Sequence, residues 1–171
     1  MTSRRDATEA LLAAARWSGV PLVHAAAGDV VYQSGVARLT VMAACGGPRL
    51  STNDRSIALL FEVAGRRVLV PADRQVAGLR DLMRRGVPRC EVLIAPHHGA
   101  RCVEAARLGA AVRPRWLVVS VARGFAHAGT LAAYGAREGI LTTVRDGCVF
   151  LRFPAAGPVE VETFRATIRR P

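Results

Sequence analysis

A chain of 171 residues is long enough for one domain with its own core and too short for two. An apolar share of 51% with clear periodicity excludes a disordered chain. All 24 basic residues are arginine, against 13 acidic ones, and the net charge of +11 gives a field that attracts polyanions. These charges are scattered rather than run together, so a solvated surface and an arginine-rich coding bias account for them equally well.

From Thr2 to Trp17 the apolar residues Ala7, Leu11, Leu12 and Ala15 recur at helical spacing. Thr2 or Ser3 is placed to cap this helix, and Gly19 and Pro21 end it. Short strands are predicted around VPLVHA, GDVVYQ and VARLTVMAA, with Gly28 and Gly35 in the turns, and Cys45 to Asn53 is expected to be a loop. SIALLFEV and RRVLVPA then form a hairpin across AGR. Val76, Leu79, Leu82 and Met83 share one face of a helix over RQVAGLRDLMRR, closed by Gly86 and Pro88.

EVLIAP is a strand bounded by HHGA, CVEAARLGAAV a helix, and RWLVVSV a strand whose continuous apolar character suits a sheet covered on both faces. A loop with His127 leads to a helix near Thr130 to Arg137. ILTTV and CVFLRF are expected to close a hairpin across RDG, and PVEVETF, in the stretch 154–171, to add an edge strand. The strand and helix alternation from Val68 to Ser120 gives an α/β class, a mixed sheet with flanking helices, in a single domain over 1–171.

Cys45, Cys90, Cys102 and Cys148 contain no Cys-x-x-Cys pair, and three lie in or beside apolar runs. Buried free thiols are therefore expected rather than a disulfide framework or a zinc cluster. No apolar run reaches the roughly 18 residues of a membrane span, and the N-terminus lacks the shape of a secretory signal. A stand-alone chain is expected to be soluble and cytoplasmic.

Three strand ends carry polar groups out of apolar surroundings: Asp73 after VLVPA, His97 and His98 after VLIAP, and His127 shortly after VVSV. Successive strands of one sheet bring such ends to a shared edge, where a carboxylate and imidazoles meet around a divalent metal. Each residue also has a plainer role open to it. Asp73 suits the cap of the following helix. Either histidine of the doublet suits a turn bonded to backbone, and His127 suits an exposed loop.

The order STNDRSIALLFEVAGRRVLVPAD, EVLIAPHHGA, RPRWLVVSV, a His-bearing loop and GILTTVRDGCVFLRF resembles the C-terminal half of the metallo-β-lactamase-like domain of the ComEC competence protein family. There an Asn-x-x-Ser element opens a hairpin ending in Gly-Asp, followed by a strand ending in Pro-His-His-Gly-Ser. The resemblance covers nearly all the chain up to about Phe153. It implies part of a four-layer αββα sandwich that hydrolyses DNA phosphodiesters at divalent metals, Zn²⁺ or Mn²⁺. Carried onto this chain, Asp73 matches the metal-bridging aspartate and His97 with His98 the metal-binding doublet ahead of Gly99. Asn53 and Ser56 match the supporting Asn-x-x-Ser residues, and His127 falls in the loop near the substrate.

Three departures stand beside these matches. No His-x-Asp-x-Asp-His run is present, Ala72 replaces the glycine before the aspartate, and Ala100 replaces the serine after His-His-Gly. The resemblance therefore predicts a truncated or degenerate domain of DNA uptake that is not an autonomous enzyme. It also predicts an apolar sheet face left for a partner: a second copy, a separate first half, or upstream sequence that includes a membrane channel domain, which would make the protein membrane-associated. Single-stranded DNA is the expected substrate. A non-catalytic nucleic-acid or protein binding module on the same fold is the rival reading, and an unrelated α/β protein with a structural histidine doublet is a third.

Overall fold

Residues 4–44 and 50–165 are described by a computed structural model. Helix α1 (Arg4–Trp17) is followed by β1 (Val30–Ser34), β2 (Ala37–Ala43), β3 (Ala58–Val63) and β4 (Arg66–Val70), an antiparallel meander. Ala64 and Gly65, both at positive φ, make the tight two-residue turn between β3 and β4. The chain then winds through α2 (Val76–Arg84), β5 (Val92–Ile94), α3 (Ala105–Val112), β6 (Trp116–Val119), α4 (Ala128–Ala133) and β7 (Gly139–Thr142). Strands β4 to β7 pair in parallel, so one seven-stranded mixed sheet runs β1 to β7 in chain order.

Strand parity decides the layers. Leu69, Leu93, Leu117 and Val119 point to one face, where Leu79 and Leu82 of α2, Leu108 and Val112 of α3 and Leu131 of α4 complete the larger core. Val68, Val92 and Val118 point the other way. A two-stranded sheet of β8 (Cys148–Arg152) and β9 (Glu160–Phe164) covers that second face through Val149 and Leu151 of β8 and the flanking Phe153 and Val159. The architecture is mixed α/β: helices, sheet, and a smaller second sheet. No helix among the described residues is long and apolar enough to cross a membrane.

Two expected elements are absent. VPLVHA is not a strand: residues 20–25 pair with no strand among the described residues, and Val20, Leu22 and Val23 stay exposed. The hairpin across RDG does not form either. Thr142 accepts from the Arg145 N–H (3.2 Å) while the Asp146 carboxylate accepts from the Thr142 N–H (2.7 Å), which coils Thr143–Asp146 into a helical turn, α5. ILT therefore joins the main sheet as β7, and CVFLR pairs with β9 instead. Cys90 and Cys102 are free and at least partly buried, whereas Cys148 is free and exposed, because it faces out at the start of β8. Thr2, Ser3 and Cys45, with most of the loop that Cys45 begins, lie outside the described residues, as does the end of the tail from 166.

Candidate functional site

Strands β4, β5 and β6 end side by side, so the residues that follow them share one sheet edge, the place where open α/β sheets bind ligands. Asp73 follows β4, the histidine doublet follows β5, and Ser120 follows β6. The Nδ1 of His98 lies 2.8 Å from the Ser120 carbonyl. A carbonyl only accepts, so Nδ1 carries the proton, and Nε2 is turned to Asp73 with Oδ1 at 3.5 Å. About half of each side chain is open to solvent, 51% for His98 and 47% for Asp73. An imidazole oriented through Nδ1–H, with Nε2 presented beside a carboxylate, has the geometry of a metal ligand.

The backbone is bent to achieve this. His97 and His98 lie in the left-handed region at φ 46° and 54°, and Ala72, just before Asp73, is at φ 55°. Each such residue costs about 1–2 kcal/mol, a cost that concentrates where a loop must aim a side chain. The His97 N–H donates to the Ala72 carbonyl at 3.0 Å, which ties the two bent loops together. Ala72 thus adopts the backbone that the glycine of the resembling pattern favours. A side chain at Gly99 would be strained: φ is 77°, and a Cβ would stand 2.7 Å from a Leu131 methyl and 3.0 Å from a Val119 methyl.

His97 is engaged elsewhere. The Gln75 amide lies 3.0 Å from its Nδ1 and the Asn53 amide 3.5 Å from its Nε2, so Asn53 meets the site through His97. Ser56 contributes its carbonyl, which accepts from Nε of the fully buried Arg74 at 2.8 Å. His127 caps α4, with Nδ1 accepting from the Thr130 N–H (3.1 Å) and Nε2 3.2 Å from the Arg101 guanidinium. Its backbone N–H reaches the Gly99 carbonyl at 2.9 Å. The structure therefore brings Asp73 and His98 together, sets His97, Asn53 and Gly99 immediately behind them, and turns the His127 ring to Thr130 and Arg101.

Sequence reading missed three participants. Asp54 is buried, and its carboxylate accepts from Gln75 N–H and Gly78 N–H (2.8 Å each) and from Ser51 Oγ–H (2.8 Å). The cap of α2 is thus Asp54, from 21 and 24 residues away, rather than Asp73. Burial alone would raise the Asp54 pKa. The bonds from Gly78, Ser51 and Gln75 and the charge of Arg74 together outweigh it and hold the carboxyl below its ordinary value. Ser-x-x-Asp in STND is the local signal that pointed to this turn. Phe125 sits edge-on to both rings, with centroids 5.9 Å from His97 and 6.1 Å from His98. Together with Val121, Ala122 and Thr143 it lines a hollow of 420 Å³ that opens at His98. Ser120, the third, had no sequence signal beyond its place after a strand.

Two ligands of one tetrahedral zinc stand about 3.3 Å apart, so the Asp73 to His98 spacing and chemistry fit a divalent metal. Their number does not complete a site. Catalytic zinc takes three protein ligands, and no group of three or more His, Cys, Asp or Glu that could hold a metal ion occurs among the described residues. In comparison with known proteins, no family model matches the chain and no curated protein matches it.

Proposed function

We propose that this chain is the C-terminal half of a ComEC-type metallo-β-lactamase-like domain, serving DNA uptake, and that it hydrolyses single-stranded DNA once a partner supplies the remaining metal ligands. One observation carries the reading: Asp73 and His98 meet at 3.5 Å on the carboxyl edge of parallel strands, with His98 oriented by Ser120. Two bent loops joined through Ala72 and His97 support it, since they fix the carboxylate against the imidazole. A bound Zn²⁺ or Mn²⁺ would supply an activated water and charge neutralisation at the scissile phosphate. This chain's share is positional. Asp73 and His98 hold, Ser120 fixes the tautomer, His97 and Asn53 stiffen the loop, and the hollow beside Phe125 offers a face for a base.

The uncovered part of the sheet agrees with a missing half. The β8–β9 sheet packs behind β4 to β7, while Tyr32 of β1 and Phe61 of β3 remain exposed. The rival reading, a binding module without catalysis, is favoured by the presence of only two converging donors among the described residues. Elemental analysis and a nuclease assay separate the two. The purified chain should hold little metal and show no turnover. Addition of a polypeptide bearing the His-x-Asp-x-Asp-His run should restore both, and Asp73→Ala or His98→Ala should abolish both. Metal uptake by the completed assembly that is indifferent to these substitutions would reject the proposal.

A further inference from the structure

The opposite end of the sheet carries a second concavity. Its hollow of 590 Å³ opens at the starts of β5, β6 and β7, whereas Asp73 and His98 lie beyond the ends of the parallel strands. Arg89 precedes β5, Arg113 and Arg115 precede β6, and Arg137 precedes β7, so the topology gathers four guanidinium groups from three connections around one opening. Arg115 is ion-paired with Glu138. Glu91, also at the rim, accepts from the Arg67 backbone N–H at 2.7 Å. Arg89, Arg113 and Arg137 are exposed and have no ion pair among the described residues.

The floor between them is made of small residues, Ala106, Gly109 and Ala110 of α3 with Ala133 and Gly135 across from them. These small side chains leave room beside the guanidinium groups for a base or sugar. The backbone adds an independent sign. Arg113 ends α3 in the left-handed conformation, φ 52° and ψ 56°, a position that glycine fills at lower cost in most helices. An arginine there costs about 1–2 kcal/mol of strain, so capping alone does not explain it. Its guanidinium lines the mouth of the hollow.

We propose that this hollow binds phosphate esters, three guanidinium groups holding the phosphates while the small-residue floor seats the sugar or base. Arginine's planar fork matches phosphate oxygens in pairs, and three unpaired cations suit an anion of several charges. The source of the phosphates is either a free nucleotide or the backbone of single-stranded DNA. This inference stands apart from the metal reading at Asp73.

The test titrates the full chain with a short fluorescein-labelled oligothymidylate, followed by anisotropy across a salt series, and with ATP by calorimetry. The cluster variant is Arg89→Gln with Arg113→Gly and Arg137→Gln, in which the glycine relieves the strained cap and so protects the fold. A control removes the same charge elsewhere, as Arg16→Gln with Arg38→Gln and Arg84→Gln. The cluster variant should bind about tenfold more weakly or worse, with a log–log salt slope smaller by roughly 2, since each lost contact to a single strand removes about 0.7. The control should keep the affinity. Binding of the oligonucleotide alone assigns the phosphates to DNA, and binding of ATP alone assigns them to a nucleotide. Equal losses in cluster and control variants, or no binding of either probe by the unaltered chain, would overturn the proposal. Binding that survives Asp73→Ala with His98→Ala, even if no metal is ever found at that edge, keeps the two proposals distinguishable.

Discussion

Ala72 stands at φ 55°, where its methyl group crowds the backbone, and the residue after it is Asp73. The crowding is tolerated because the Ala72 carbonyl accepts from His97 and the turn aims Asp73 at His98. Ala72→Gly should remove about 1–2 kcal/mol of strain while adding about 0.5–1 kcal/mol of unfolded-state entropy. The expected outcome is a net gain of roughly 0.5–1 kcal/mol in urea denaturation; a loss would mean that the loop is shaped by something other than this turn. Asp54 sets a second residue-scale expectation. Its folded carboxyl titrates below the ordinary 3.8, so its stabilisation is present above that value and is lost as pH falls through the folded one. Asp54→Asn should therefore cost about 2 kcal/mol or more at neutral pH and progressively less below pH ~4, read from urea melts of both proteins across that range.

At the scale of elements, α2 is positioned by a loop that precedes it by two strands. Gly78 lies in its first turn, and a Cβ there would stand 2.8 Å from both the carbonyl oxygen and Oδ1 of Asp54. Helix propensity favours Gly78→Ala by about 1 kcal/mol, whereas forcing the cap apart costs about 1–3 kcal/mol. Packing is expected to win, with a lower urea midpoint; a higher one would show that the Asp54 loop yields freely. The same element shows what a sequence discloses. The alternation of strands and the apolar face of α2 follow from local periodicity, so β3 to β6 were legible as elements, and with them the shared edge of Asp73 and His98. The cap from Asp54 to Gly78 spans 24 residues and leaves no periodic trace. The hairpin expected over ILTTVRDGC failed for a related reason: Thr142 and Asp146 bond their own backbone, a choice that depends on Thr143 reaching Val121 of a distant loop. The choice between His97 and His98 was likewise set by Gln75, Asn53 and Ser120, none of them a sequence neighbour.

For the whole molecule, the decisive asymmetry is between a covered and an uncovered flank. The parallel strands are enclosed by helices on one side and by β8–β9 on the other, whereas Trp17, Val20, Val23, Val31, Tyr32 and Val36 at the N-terminal flank are exposed. Each Å² of apolar surface left in water forgoes about 25 cal/mol of burial, and we propose that a partner covers part of it. The two tryptophans make the asymmetry measurable. Trp17 is 91% exposed, while Trp116 is partly buried and packs against the smaller core beneath β8–β9. In the isolated chain at low concentration, acrylamide should quench one emission component freely and leave the other protected, and Trp17→Phe should delete the quenchable one. Addition of the polypeptide that completes the metal site should protect Trp17 and shift its emission to the blue in proportion to metal uptake. Protection of Trp17 that instead rises with the concentration of this chain alone would identify a second copy as the cover. A Trp17 that stays open while metal and activity are both restored would separate the flank from the catalytic partner altogether.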